Sequence, residues 1–378
     1  MDLGNLSRRR FAGALGAALG GALVTPRTAS RAEASLPRGY SEDYVQLNSN
    51  ENPYGPSPAA LEAMTRALAV GARYPDAPED EMIEKIARLH RVDPGRVVLG
   101  CGSGEVLRMA DLAFLTEGRR VVVAEPTFEA VLAYARVTRA EAVKVPLDTA
   151  HRHDLEAMLK ACDERTGLVY VCNPNNPTGT IVGAGALAAF VARVPPSTMV
   201  VVDEAYHHFV ESPDYRSAFE LLGQHPNVLV VRTFSKIHAL AGMRLGYGVG
   251  SEDAIRGLRQ HAFASNANAA VLAAGLASLG DEAHEARTRK RMNDTRRWLY
   301  RELDKDGRRY IPSEANFTMI EIGSDVKPVL EAFRERKILV GRRFASLPTW
   351  LRVSIGTDAE MAAFLEALRG IAPARAAA

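Results

Sequence analysis

Short apolar runs rich in β-branched residues recur through the first two thirds of the chain, at 97–99, 120–124, 142–145, 168–172, 199–203 and 228–232. They show little polar alternation, the pattern of strands covered on both faces. Between several of them lie stretches with helical spacing, such as 105–114 and 184–194. Strands alternating with helices predict an α/β fold built on a mostly parallel, doubly wound sheet. Helical patterning starts near Ala59. After Asn268 the pattern changes, and a long charged helix predicted over 281–304 leads into a smaller α+β segment reaching about residue 370. The expected organisation is an irregular arm at 35–58, dense in Asn and Pro, a large domain at 59–268 and a small domain at 269–378.

In such sheets ligands sit beyond the carboxyl ends of the strands. The unusual residues of this chain fall at those ends. Lys236 follows the 228–232 run in Arg232-Thr233-Phe234-Ser235-Lys236. Asp203 closes the 199–203 run, with Tyr206 three residues on. An acid at the end of an apolar strand is poorly solvated and calls for a cationic partner. Asn173-Pro174-Asn175-Asn176-Pro177-Thr178-Gly179 follows another run, and its two prolines and glycine set a turn at the sheet edge. Gly100-Cys101-Gly102-Ser103-Gly104-Glu105 lies between a strand and a helix, where free N–H groups favour an anion. It lacks the Gly-Lys-Ser/Thr of a P-loop and the glycine spacing of a dinucleotide fingerprint.

Composition changes this picture mainly at the N-terminus. With 47% hydrophobic and 24% charged residues, the 378-residue chain reads as a soluble globular enzyme. Ser7-Arg8-Arg9-Arg10-Phe11, a weakly apolar run at 12–24 and Ala32-Glu33-Ala34 have the layout of an export signal of the twin-arginine kind, over residues 1–34. The apolar run is too short for a stable membrane span. The segment holds five arginines against two acids, a net of +3 in a chain of +2, so the remainder is about −1. No nucleic-acid or membrane-surface partner is implied. Cys101, Cys162 and Cys172 have no disulfide-framework spacing, which suits a protein folded before export through a periplasmic route.

Taken together, the amine, the carboxylate, the tyrosine, the asparagine turn and the glycine cradle match what pyridoxal 5′-phosphate asks of a protein. In this order they resemble the fold-type I, class I/II aminotransferases, with most similarity to the histidinol-phosphate aminotransferase branch. The resemblance runs from Leu47-Asn48-Ser49-Asn50-Glu51-Asn52-Pro53 to Leu351-Arg352-Val353-Ser354-Ile355-Gly356-Thr357. It implies that Lys236 is the lysine joined to the cofactor, that Asp203 pairs with the pyridine nitrogen, and that Tyr206 and Asn176 hold the phenolic oxygen. It assigns the cofactor phosphate to Ser103, Gly104, Thr233, Ser235 and Arg244, and the ring face to Phe128. Tyr74, in Tyr74-Pro75-Asp76, resembles the tyrosine that reaches a neighbouring subunit's phosphate, which implies a homodimer with shared active sites. Arg352 and Asn50 fall to the substrate, Arg352 to its anionic group, and no metal is implied. Relatives acting on histidinol phosphate usually carry a Val-Arg step upstream of Arg352; here Leu339-Val340-Gly341-Arg342-Arg343 moves the arginine by one residue. The expectation is a weakened grip on a distal phosphate and a preference for some other amino donor. The motifs bind the cofactor above all, so a decarboxylase, a lyase or an exported binder of the cofactor without turnover stays open beside transamination with a 2-oxo acid.

Overall fold

The computed structural model describes residues 43–373; the expected export signal lies outside them. Seven strands form the main sheet: β2 (Val97–Gly100), β3 (Arg120–Glu125), β4 (Glu141–Pro146), β5 (Thr166–Cys172), β6 (Met199–Asp203), β7 (Val228–Thr233) and β8 (Gly246–Val249). Their order is β2-β8-β7-β6-β5-β3-β4. All neighbours are parallel except β8, which runs against both β7 and β2. Two reversals cancel, so β2 points the same way as β7. The carboxyl ends of β2, β3, β5, β6 and β7 therefore meet along one edge, which brings together motifs more than a hundred residues apart.

The runs at 199–203 and 166–172 are buried at every position, as expected when helices cover both faces. β4 is the edge strand, and the charged Glu141 and Lys144 are exposed on it, one to each face. β8 was not legible as a strand, because glycine at two of its four positions weakens strand propensity. The glycines answer a packing demand. A Cβ on Gly246 would overlap the backbone of Ser103, and one on Gly248 would lie 2.8 Å from Val106. β8 is thus the floor on which the Ser103–Phe114 helix rests.

The arm is more regular than expected. Val45–Leu47 forms β1 and pairs in parallel with β11 (Ile338–Val340). β10 (Phe317–Glu321) lies between β12 (Trp350–Ser354) and β9 (Tyr310–Ile311), antiparallel to both. A second core forms around these strands, joining Leu47, Tyr206, Phe209 and Ile237 to Met292, Phe317, Phe333 and Phe364. The predicted long helix is present as Glu282–Lys305. The helix before it, Ala269–Ser278, packs into the core of the main sheet through Val271, Leu272 and Ala274. The change of core therefore comes with the Glu282–Lys305 helix.

Candidate active site

Every expected site residue except Tyr74 lines one cavity of about 360 Å³ at the carboxyl edge of the main sheet. Its walls come from β2, β3, β5, β6 and β7 on one side and from the arm, β12 and the 341–344 segment on the other. Tyr74 lies on the outer surface, 84% exposed, and this chain does not bring it to the cavity.

Asp203, Tyr206 and Lys236 form the centre. Asp203 is buried. Its Oδ2 accepts from the Tyr170 hydroxyl at 2.8 Å and its Oδ1 from the Ala205 amide at 3.0 Å. Burial pushes its pKa up to about 6, against the pull of these two donors. It therefore remains ionised at neutral pH in a place where a carboxylate is costly without a cation. Tyr206 Oη accepts from Asn50 Nδ2 at 3.1 Å and Asn176 Nδ2 at 3.2 Å. Lys236 Nζ donates to the Ser49 carbonyl at 3.2 Å and lies 5.7 Å from the centroid of the Tyr206 ring. Burial, then the Arg352 and Arg244 charges, lower its pKa to about 8, with Glu51 and Asp203 opposing. A sizeable share of the amine is neutral near pH 8, the form that attacks an aldehyde or takes up a proton.

The cradle is built around Gly102, whose φ of +76° and ψ of 162° belong to a region that essentially only glycine enters. A Cβ there would overlap the Arg244 guanidinium, which lies directly against it. The chain then enters the Ser103–Phe114 helix, whose first residues Ser103 and Gly104 face the cavity. Thr233 and Ser235 sit opposite, with the Thr233 hydroxyl donating to Ser235 Oγ at 2.9 Å. Helix amides, three hydroxyls and a guanidinium make a phosphate-sized anion site. Beside a desolvated amine and a buried carboxylate that no cation among the described residues pairs with, this donor set fits pyridoxal phosphate.

The far side of the cavity holds Arg352. Its Nη1 donates to Asn176 Oδ1 at 2.7 Å and its Nη2 to the Asn48 carbonyl at 2.8 Å. Its Nε is buried without a hydrogen-bond partner among the described residues, and burial lowers its pKa. No acid among the described residues pairs with it. Asn50 is held by Tyr206 and Ser354, with its backbone amide donating to Ser354 Oγ at 2.8 Å. Phe128 is 39% exposed and forms part of the wall. Arg342, expected to be out of position, also lines the cavity. It pairs with Glu129 at 2.6 Å and lies over the Phe344 ring at 4.3 Å. Arg352 lies 5.4 Å from the centroid of the same ring. Arg343 pairs instead with Asp325.

Sequence reasoning missed Tyr170, Asn175 and Glu129. Tyr170 lies mid-strand in an apolar run, and only the β5–β6 pairing brings its hydroxyl to Asp203. Asn175 lies within a recognised motif, but its task is to brace the neighbouring loop. It accepts from the Thr127 hydroxyl at 2.9 Å and donates to the Pro126 carbonyl at 3.1 Å.

Comparison with known proteins agrees with this arrangement. Residues 42–368 match the family model of aminotransferase class I and II. The chain is 40% identical over 333 residues to a histidinol-phosphate aminotransferase of Moorella thermoacetica, covering 87% of this chain and 86% of the relative. It is 42% identical over 330 residues to the enzyme of that name from Symbiobacterium thermophilum, covering 86% and 90%. Among solved structures, a putative histidinol-phosphate aminotransferase from Erwinia carotovora atroseptica superposes with a TM-score of 0.84 at 32% identity, over 86% of this chain and 95% of the other. The histidinol-phosphate aminotransferase of Sinorhizobium meliloti, solved with pyridoxal-5′-phosphate, gives 0.82 at 27% identity, over 86% and 90%. With its fold, its edge-of-sheet cavity and these relatives, the chain belongs to the class I and II aminotransferases.

Proposed function

We propose that this pyridoxal-phosphate-dependent aminotransferase acts on a primary amine whose far end carries a phosphate or comparable anion, with histidinol phosphate the first candidate, and returns the amino group to a 2-oxo acid such as 2-oxoglutarate. One observation carries the reading. Arg342 stands in the same cavity as the acid-free Arg352, its only ion-pair partner among the described residues being the half-exposed Glu129. A distal anion can exchange with Glu129, while Arg352 serves the nearer anionic group or the carboxylate of the 2-oxo acid. This revises the expectation that displacement by one residue removes the arginine from the substrate.

Bound pyridoxal phosphate supplies an aldehyde that condenses with amines and a ring that accepts the electron pair left when Cα loses its proton. The residues do the rest. Lys236 would hold the cofactor through its Nζ, and its amine would move the proton at the substrate Cα as base and then acid. Asp203 keeps a proton on the ring nitrogen, and Tyr170 holds the Asp203 carboxylate in place. Tyr206 and Asn176 orient the phenolic oxygen. Ser103, Gly104, Thr233, Ser235 and Arg244 anchor the phosphate, and Phe128 covers the ring.

The test is Arg342→Ala. A charge-assisted contact is worth roughly 1.5–3 kcal/mol, or about one to two decades in specificity. kcat/KM for histidinol phosphate should fall by about that factor while kcat/KM for a donor without a phosphate, such as phenylalanine, holds. Equal loss for both donors, or none for either, would reject the assignment.

We also propose that the active unit is a homodimer in which Tyr74 serves the neighbouring subunit's phosphate site, which its outward position supports. The layout of residues 1–34 supports export to the periplasm by the twin-arginine route.

A further inference from the structure

A second cavity, of about 750 Å³, lies behind the catalytic one and shares only Thr233 with it. Its wall is crowded with imidazoles. His90, His207, His208 and His238 all line it. His207 lies against His208 with ring centroids 3.6 Å apart, and His238 meets His208 edge-on at 5.4 Å. From the other side the Glu282–Lys305 helix presents Glu282, Glu285 and Arg289, residues spaced to share one face.

We propose that His208, His238 and Glu285 form a binding site for a divalent transition-metal ion of the zinc class, which joins the Glu282–Lys305 helix to the two loops carrying Tyr206 and Lys236. One ligand atom from each of the three lies within 4.8 Å of those of the other two. His208 Nε2 and Glu285 Oε2 are already 3.7 Å apart. Bonds of ~2.0–2.1 Å in a tetrahedral site set ligand–ligand edges of about 3.4 Å, so side-chain adjustments of about 1 Å or less close the triangle. Two imidazoles and one carboxylate suit zinc, cobalt or nickel and do not suit calcium or magnesium, which take oxygen ligands. Three protein ligands leave a fourth position for water.

Charge favours the same ion. Arg232, the cation set deepest in the wall, is neutralised by Glu204 through bonds of 3.0 and 2.8 Å. The helix face then contributes two acids against Arg289. Among the described residues His207 Nε2, on this cavity's wall, is buried without a hydrogen-bond partner, a polar atom that the water shell of a bound ion would satisfy.

Position gives the ion a consequence. His208 is two residues beyond Tyr206, and His238 is two beyond Lys236. Glu285 belongs to the helix whose later residues, Met292 and Leu299, build the second core. An ion at the three ligands ties the loops of the catalytic centre to that core.

The experiment uses tag-free holoenzyme stripped with a chelator and titrated calorimetrically with zinc ion alone. We expect one ion per chain with a dissociation constant in the micromolar range or tighter, a raised melting temperature, and no competition from excess magnesium. Cobalt ion should add visible absorption at wavelengths longer than the cofactor band. Glu285→Gln keeps the shape of a partly exposed side chain and His208→Gln removes an imidazole; each should weaken binding at least tenfold while the cofactor spectrum is retained. Absence of stoichiometric zinc binding, or binding unchanged in Glu285→Gln, would overturn the site.

Discussion

Asp203 has the hardest task of any single residue in this molecule. A carboxylate that keeps a proton on a ring nitrogen must be buried yet charged, and the cost of burial already lifts its pKa to about 6. Tyr170 and the Ala205 amide hold it below neutrality and fix its direction. Asp203→Asn should therefore lower the single-turnover transamination rate by several orders of magnitude, at about 1.4 kcal/mol per tenfold, with the cofactor retained by its phosphate. Tyr170→Phe should cost about tenfold, since the carboxylate stays but loses one neutral hydrogen bond. If Asp203→Asn slowed the half-reaction by less than about tenfold, the role given to this carboxylate would be wrong. Asp203 was legible from the sequence because a charged residue ending a valine run has few structural uses. Tyr170 was not, because a tyrosine inside a buried strand reads as core. Arg342 was read as misplaced because counting residues cannot show that Gly341 lets the chain lie against Arg352, whose backbone oxygen would be 2.8 Å from a Cβ there.

At the scale of elements, the phosphate cradle depends on two glycine-bearing segments packed together. Gly102 makes a turn open only to glycine, and Gly246 on β8 lets the Ser103 backbone settle on the sheet. Gly102→Ala should displace Arg244 and strain the turn, at a cost of about 1–3 kcal/mol, and raise the cofactor's dissociation constant roughly tenfold or more. Equilibrium dialysis of the apoprotein against pyridoxal phosphate measures this, and an unchanged constant would show that Arg244 does not bear on the phosphate. The same segments mark where sequence reading fails. The alternating strands and helices were legible because buried parallel strands write long apolar runs. β8 was hidden by the glycines that serve its neighbour. β1 was hidden because three residues, Val45, Gln46 and Leu47, leave no periodicity to read, and their pairing with β11 spans almost three hundred residues.

At the scale of the whole molecule, the cavity lies where the main sheet's edge meets the arm and the second core, so it is complete only when both parts are folded. The exposed Tyr74 carries the dimer proposal. Lys236→Ala and Tyr74→Ala subunits, each weak alone, should recover part of the activity when mixed, because hybrid dimers contain one intact site; no recovery together with a single-chain mass would exclude shared sites. Changing Arg8-Arg9 to Lys-Lys should leave the precursor in the cytoplasm, and undisturbed export in cell fractionation would reject the twin-arginine route. The claim on which everything else depends is that Lys236 joins the cofactor. The direct measurement is borohydride trapping of the purified protein with pyridoxal phosphate, read by mass spectrometry, across a pH series. The wild-type chain should carry one adduct on Lys236, and its rate of formation should rise with pH and level off above about 8, where burial and the Arg352 charge have placed the amine. Lys236→Ala should carry none; an intact adduct in that variant would contradict the account.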